Sequence, residues 1–323
     1  MKLFKPLLAL TIAASSITAW SAEQPVVAVA QIISHPALDA SYQGLVEELE
    51  NAGYKNGENI KILREIAQGD QSLAMQIAQK FVGENPTVLV GISTPSAQTL
   101  KAASHGKIPV VFSAVTDPVA ADLVKDKAHP GGMVTGASDR IPLEKGVEML
   151  KQILPNAKTI GTVYNPGEAN SETAVKELDE VLKNQDMKLV KAPATKTAEV
   201  LDAARSLVGK VDTIYITLDN IAVGALASII QVGEQSKIPV FTVDTSSVAN
   251  GAIAALGFSY EDVGRESGKQ VVAILKGQKP ENLPVKEIEA LELYLNPGAA
   301  QKMGVELPQA IVDNATHIVE TKK

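Results

Sequence analysis

Lys107-Ile108-Pro109-Val110 returns as Lys237-Ile238-Pro239-Val240, an offset of 130 positions from 107 to 237. Pro36 and Ser41 stand in the same register with Pro166 and Ser171. A four-residue identity alone is weak. Two matches in one register carry more, because each pair occupies the same place in a series of alternating patterns. In the first half, β-branched runs at 26–32, 60–66, 87–90 and 108–112 read as strands. Between them, apolar residues at helical spacing mark helices at 41–52, around 73–81 and from Pro95. The second half repeats the series, with strands at 159–163, 187–191, 211–216 and 240–243 and helices at 171–183, 197–208 and 222–234. Strands alternating with helices of this size imply crossover connections and a parallel sheet. The chain therefore reads as two similar α/β lobes.

Between the halves lies Gly136-Ala137-Ser138-Asp139-Arg140-Ile141-Pro142, a segment suited to a hinge. Beyond the second half, a strand at 252–256, a helix at 260–276 and a strand near 292–295 exceed what one lobe's repeat requires. If the chain crosses back and forth, these pieces complete both sheets. Three crossings then form a hinge that permits closure around a ligand. The expected organisation is a signal segment at 1–22, one lobe from 23–138 plus about 259–288, and a second from 139–258 plus about 289–323. One large doubly wound sheet is the alternative, and the length counts against it, since single cores stop growing near 250–300 residues.

The N-terminus sets the compartment. Lys2 and Lys5 precede an apolar stretch at 6–18, and small residues close the segment at Ala19-Trp20-Ser21-Ala22. This is the layout of a cleavable secretory signal, with cleavage expected after Ser21 or, one residue on, after Ala22. The apolar stretch is shorter than the roughly 20 residues that a bilayer span needs. The chain has no cysteine, which excludes disulfides, thiolate metal sites, a cysteine nucleophile and a lipid-carrying cysteine. An exported chain without a lipid anchor is expected in a periplasm. Losing Lys2 and Lys5 from a chain of net charge −7 leaves −9. Such an acidic body argues against nucleic acid and anionic membranes, which demand basic patches.

Ligands of open α/β sheets bind beyond the carboxyl ends of the strands. In the first half those loops hold Ser34-His35-Pro36, Gly91-Ile92-Ser93-Thr94-Pro95-Ser96 and Ser113-Ala114-Val115-Thr116-Asp117-Pro118. Ser93, Thr94 and Ser96 open a helix whose first amides lack partners, and hydroxyls there suit a carboxylate or phosphate. Plain N-capping is the competing reading, for Asp117 before Pro118 as well. The second half's loops carry Asn165, Glu168, Asn170, Asp219, Asn220 and Asp244. A carboxylate in a closing cleft pairs well with a ligand ammonium, although each acid alone is more often a cap or turn residue. Asp219 and Asp244 are preferred because each directly follows a strongly apolar strand. Opposite a carboxylate-binding lobe, such acids match the two ends of an α-amino acid.

Catalytic and cofactor motifs are missing. The chain has no Gly-rich phosphate loop and no Gly-x-Ser-x-Gly elbow, and its four histidines lack metal-ligand spacing. His35 lies in a cleft loop and is read equally well as a ligand contact or a surface residue. Enzyme chemistry, a cofactor and a metal are not expected. Trp20, the only tryptophan, leaves with the signal, and few aromatic platforms remain for stacking a sugar.

Four stretches resemble one family in family order: Val115-Thr116-Asp117-Pro118-Val119-Ala120-Ala121, Gly136-Ala137-Ser138-Asp139, Tyr164-Asn165-Pro166-Gly167-Glu168-Ala169-Asn170-Ser171, and Leu293-Tyr294-Leu295-Asn296-Pro297 with Ala299-Ala300. It is the ABC-transporter substrate-binding family of the tryptophan and tyrosine uptake type. The resemblance implies a type I periplasmic-binding fold, two Rossmann-like lobes with three hinge crossings, and an aromatic amino acid as ligand. It also implies that the loops at Ser93-Thr94 and at Ala114 to Thr116 hold the α-carboxylate, and that Asp244 takes the ammonium. Asn165, Glu168, Asn170 and Asp219-Asn220 would line the opposite wall.

The expected protein is a monomer that closes on an amino acid and docks on an ABC permease in the inner membrane. The alternatives are a binder of another small molecule, such as a sugar or nucleoside, and a ligand-sensing module for a membrane receptor.

Overall fold

The computed structural model describes residues 24–320; the expected signal at 1–22 lies outside the described residues. The chain opens with β1 (Val26–Gln31), α1 (Pro36–Asn51), β2 (Lys61–Ile66) and α2 (Gln71–Gly83). Then come β3 (Val88–Ile92), α3 (Thr94–Ser104), β4 (Val110–Val115) and β5 (Val134–Ser138). A second series follows as α4 (Leu143–Ile153), β6 (Thr159–Tyr164), α5 (Ala169–Lys183), β7 (Lys188–Pro193) and α6 (Val200–Ser206). It continues through β8 (Thr213–Ile216), α7 (Asn220–Gly224), α8 (Leu226–Ser236), β9 (Val240–Thr242) and β10 (Ala254–Gly257). The chain closes with α9 (Tyr260–Leu275), β11 (Lys286–Glu287), β12 (Glu292–Leu295), α10 (Pro297–Lys302), α11 (Gln309–Asp313) and β13 (His317–Ile318).

The strands form two parallel sheets and a small third one. The first has the order β11-β5-β4-β3-β1-β2 and the second β7-β6-β8-β9, with every pairing parallel. Strands covered on both faces read as continuous apolar runs. Accordingly every residue of β3 and β4 is buried. The third sheet, β10-β12-β13, joins the second through the Ile253 amide, which donates to the Val240 carbonyl at 2.8 Å.

The chain passes between the first sheet and the other two sheets three times: at 139–142 after β5, at 258–259 after β10, and at 288–291 after β11. The second passage brings α9 back across the first sheet, where it packs on α1, β4 and β5. Glycines permit that close helix crossing. A Cβ on Gly264 would fall 2.0 Å from the Ser41 carbonyl oxygen, and one on Gly44 would fall 2.0 Å from that of Glu261. Underneath, the hydroxyls of Ser41 and Ser267 meet Ser113 Oγ at 2.8 and 2.9 Å, so these buried polar groups are paired. The architecture is two lobes of parallel sheet joined by three crossings.

Several sequence expectations change. Gly136, Ala137 and Ser138, read as hinge, are the end of β5, and the crossing starts at Asp139. Pairing with β4 makes them strand, and a local reading cannot see that partner. Helix α4, absent from the sequence reading, follows directly from Pro142. The helix expected from 41 begins at Pro36 and is capped by His35, whose Nδ1 accepts from the Leu38 amide at 3.5 Å. Proline at the first helical turn is a normal start. The helix expected at 222–234 is two helices, because Ala225 leaves helical geometry at φ −119° and ψ 25°. The late strands do not simply extend both sheets: β11 joins the first sheet, whereas β10, β12 and β13 make one of their own.

Candidate functional site

The carboxyl ends of the two parallel sheets face each other across a narrow cavity of about 20 Å³. From the first lobe and the crossings come His35, Leu38, Ala114, Thr116, Asp139 and Tyr260. From the second come Asn170, Leu218, Asp219, Asn220, Val223 and Asp244. The space holds about one water, so the walls must part to admit a larger molecule. None of the described residues that line it is Lys or Arg, while three are aspartates. The cavity's electrostatic bias is for a cation.

The first wall rests on two unusual turns. Ser93, after β3, has φ +91°, and Ala114, at the end of β4, has φ +56°. Non-glycine residues in this region are uncommon and cluster where a fold positions a site. The Ser93 amide donates to the Ser113 carbonyl at 2.9 Å, locking the two turns side by side. Ala114 reaches the cavity. Ser93 and Thr94 lie one strand further over, buried, with Ser93 Oγ and Thr94 Oγ1 lacking any hydrogen-bond partner.

Asp139 is the centre of the hinge side. Thr116 Oγ1 donates to its Oδ1 at 3.1 Å, and the Tyr260 hydroxyl donates to its Oδ2 at 2.9 Å. Burial pushes the Asp139 carboxyl up to about 6, and the negative Asp244 adds to that rise. Asp244 caps a short 3-10 turn, accepting from the Ser246 amide at 2.9 Å and from Ser247 Oγ at 2.5 Å. His35 Nδ1 accepts the helix cap, which leaves the proton of the neutral ring on Nε2. That Nε2 is buried, with the Asn220 side chain within reach of the ring. Burial lowers the His35 pKa, opposed by Asp244 and Asn220 beside it.

The second wall is a hydrogen-bonded cluster. Asp219 caps α7 by accepting from the Ala222 amide at 2.7 Å. Its other oxygen accepts from the Asn165 amide at 2.5 Å and from Ser171 Oγ at 2.6 Å. Burial raises its pKa. With both oxygens engaged, Asp219 holds three segments of the wall together. Glu168 lies behind, taking Asn165 Nδ2 at 3.2 Å, Asn170 Nδ2 at 3.1 Å and Asn220 Nδ2 at 2.5 Å. Burial, with the charge of Asp219, pushes the Glu168 carboxyl up to about 7.

Of the sequence candidates, Ala114, Thr116, Asn170, Asp219, Asn220 and Asp244 come together at the cavity. Asn165 and Glu168 support its wall from behind. Asp117 stands outside the lining and caps its own turn, accepting from the Val119 and Ala120 amides at 3.0 and 2.9 Å. Its second oxygen accepts from Arg140 at 3.0 Å. Sequence reasoning missed Asp139 and Tyr260, which sit beyond the carboxyl ends of β5 and β10. The strand-end rule that found the others would have found these, had it been applied at the crossings.

A two-lobed α/β clamp with a polar cavity at the facing strand ends is the form of the type I periplasmic binding proteins. Residues 26–319 match the ABC transporter substrate binding proteins, and the chain belongs to that family. It is 36% identical over 298 residues to the tyrosine-binding protein of Clostridioides difficile (strain R20291), covering 92% of this chain and 86% of that one. A conserved domain protein from Vibrio cholerae o1 biovar eltor str. n16961 superposes with a TM-score of 0.90 at 46% identity, over 92% of this chain and 100% of that one. An ABC domain from Streptococcus pneumonia, in complex with L-Trp, superposes with a TM-score of 0.88 at 33% identity, again over 92% and 100%.

Proposed function

We propose that the protein captures an aromatic amino acid between its lobes and presents the closed form to an ABC permease of the inner membrane. The observation that carries this reading is the pair of carboxylates Asp139 and Asp244, buried in a cavity with no lysine or arginine to neutralise them. A ligand ammonium supplies the missing charge, and charge-assisted hydrogen bonds of this kind are among the stronger ones. The opposite end of a zwitterion needs donors. Ser93 Oγ and Thr94 Oγ1 are buried and unpartnered on the first-lobe side, just outside the cavity lining. The relatives named for tyrosine or holding L-Trp support an aromatic side chain.

In this reading the lobes divide at the crossings, one being 23–138 plus about 259–288 and the other 139–258 plus about 289–323. The ligand touches both lobes, so it favours the closed population and couples capture to docking. The protein works in the periplasm without catalysis, once the positive and apolar segment at 1–22 has been removed.

Calorimetric titration of protein unfolded, stripped and refolded tests the reading, with tyrosine, tryptophan, phenylalanine, leucine, ribose and adenosine as ligands. One-to-one binding of an aromatic amino acid, lost in Asp244→Ala, is the expected result. A response to ribose or adenosine with none to any amino acid overturns it.

A further inference from the structure

The amide cluster behind the second wall bears on which aromatic side chain the cavity accepts, given the amino-acid reading above. Asn170 is buried and lines the cavity. Its Nδ2 donates to Glu168 Oε2 at 3.1 Å and to the Leu218 carbonyl at 2.8 Å, which uses both amide hydrogens. The Leu218 carbonyl can only accept, so the amide cannot turn over. Its Oδ1 is thereby fixed as the free end, and it is buried without any donor. A buried carbonyl left unpaired is costly, and such orphans in a binding cavity point to a missing partner.

The reading above already gives the ammonium to Asp139 and Asp244. Asp139 and Asp244 both act on Tyr260, on the hinge side of the cavity. Asn170 stands instead against Leu218, which with Val223 supplies apolar surface from the second lobe. The charge that Glu168 feels is Asp219, on the same wall. An apolar surface bearing one acceptor suits an aromatic ring that carries one donor.

We propose that Asn170 Oδ1 is a specificity contact for the ligand's side chain, accepting from a phenol O–H or an indole N–H, and that Glu168 is the positioning residue that keeps this oxygen turned to the cavity. The site then prefers tyrosine or tryptophan over phenylalanine, because phenylalanine leaves the acceptor buried and unpaired. Sites built around a ligand hydroxyl or N–H reject the analogue that lacks it far more strongly than apolar pockets reject a missing methylene.

Titration calorimetry of the stripped protein with tyrosine, tryptophan and phenylalanine tests the proposal. In the unaltered protein the better donor-bearing ligand should bind at least about tenfold more tightly than phenylalanine. Asn170→Ala should weaken that ligand and bring the ratio to within about threefold, with Asn170→Ser as the second variant should the first fold poorly. Glu168→Ala should narrow the same ratio, because Asn170 Nδ2 loses one of its two acceptors, and Glu168→Gln, which keeps one acceptor oxygen, should narrow it less. A general loss of structure would weaken all three ligands alike and leave the ratio in place. Equal affinity for all three in the unaltered protein overturns this proposal and leaves the amino-acid reading standing. A ratio that survives Asn170→Ala also overturns it. Silence toward all three overturns both.

Discussion

The Tyr260 hydroxyl donates to Asp139 Oδ2 at 2.9 Å, and the two residues stand at the ends of different crossings between the lobes. Asp139 follows β5 and Tyr260 opens α9, so one hydrogen bond ties two hinge segments together while both residues face the cavity. The bond supports the charged form of Asp139, whose carboxyl burial otherwise pushes upward. Tyr260→Phe should therefore move that pKa further up and weaken amino-acid binding by about tenfold at neutral pH, the worth of a hydrogen bond to a charged group. Titrations across pH 5 to 8 check this. The midpoint of the affinity profile should shift to higher pH in the variant.

Asp139 itself should set a conflict between stability and binding. Its folded pKa of about 6 lies above the ordinary carboxylate value of 3.8. The native state thus holds a proton that the unfolded chain has released, and the associated stability is full below pH ~4 and lost as pH rises through about 6. Glu168, at about 7, acts in the same direction over a slightly higher range. The ligand-free protein should lose stability between pH 4 and 7. Asp139→Asn should recover on the order of 1–3 kcal/mol at pH 7.5, since a buried charge is removed. The same variant should bind amino acids much more weakly, because half of the ammonium site becomes neutral. Denaturant melts at pH 4.5 and 7.5 separate the two effects, and a variant no more stable at the higher pH would count against burial as the cause.

How much of this was written in the sequence depends on the distance over which each feature is decided. The runs Val88-Leu89-Val90-Gly91-Ile92 and Val110-Val111-Phe112-Ser113-Ala114-Val115 announce buried parallel strands locally, and both are strands. Gly136-Ala137-Ser138 carries no such signal, because it is strand only through pairing with β4. The same limit governs the site. Asp219 and Asp244 look alike in sequence, each closing an apolar run. Asp219 spends its lone pairs on the Asn165 amide and Ser171 Oγ, groups 54 and 48 residues away. Asp244 is met by its own neighbours Ser246 and Ser247, although both carboxylates line the cavity. Residue type and position locate a carboxylate near a cleft, whereas long-range partners decide whether it is free to bind.

Arg140 offers a contrast in magnitude. It bridges Asp117 of the first lobe at 3.0 Å and Glu177 of α5 in the second at 3.1 Å. The geometry invites the reading of an interlobe latch. Yet the arginine is 39% exposed, and ion pairs at such sites contribute about 0–1 kcal/mol. It also sits within a crossing segment, so opening the lobes need not break both contacts. Arg140→Ala should change stability by less than about 1 kcal/mol and ligand affinity by less than about threefold. Melts at low and high salt, with one titration each, check this; a loss several times larger would restore the latch.

The helix crossing of α1 and α9 makes the opposite prediction: a large structural effect with no chemistry at all. Gly264 leaves no room for a methyl group, because a Cβ would stand 2.0 Å from the Ser41 carbonyl oxygen and 2.8 Å from its carbon. These are backbone atoms, so relief requires that the helices move apart rather than that a side chain rotate. Separation would strain the buried hydroxyl contacts of Ser41 and Ser267 with Ser113 below. It would also tilt α9, whose first residue is the Tyr260 that meets Asp139. Gly264→Ala should therefore destabilise the protein by about 1–3 kcal/mol or more, the usual range for overpacking. Its pH profile of binding should shift in the same direction as that of Tyr260→Phe, although residue 264 lies outside the cavity lining. Parallel denaturant melts and pH-dependent titrations of the two variants test this. A destabilised Gly264→Ala protein with an unshifted binding profile would show that the helix crossing supports the lobe without setting the position of Tyr260.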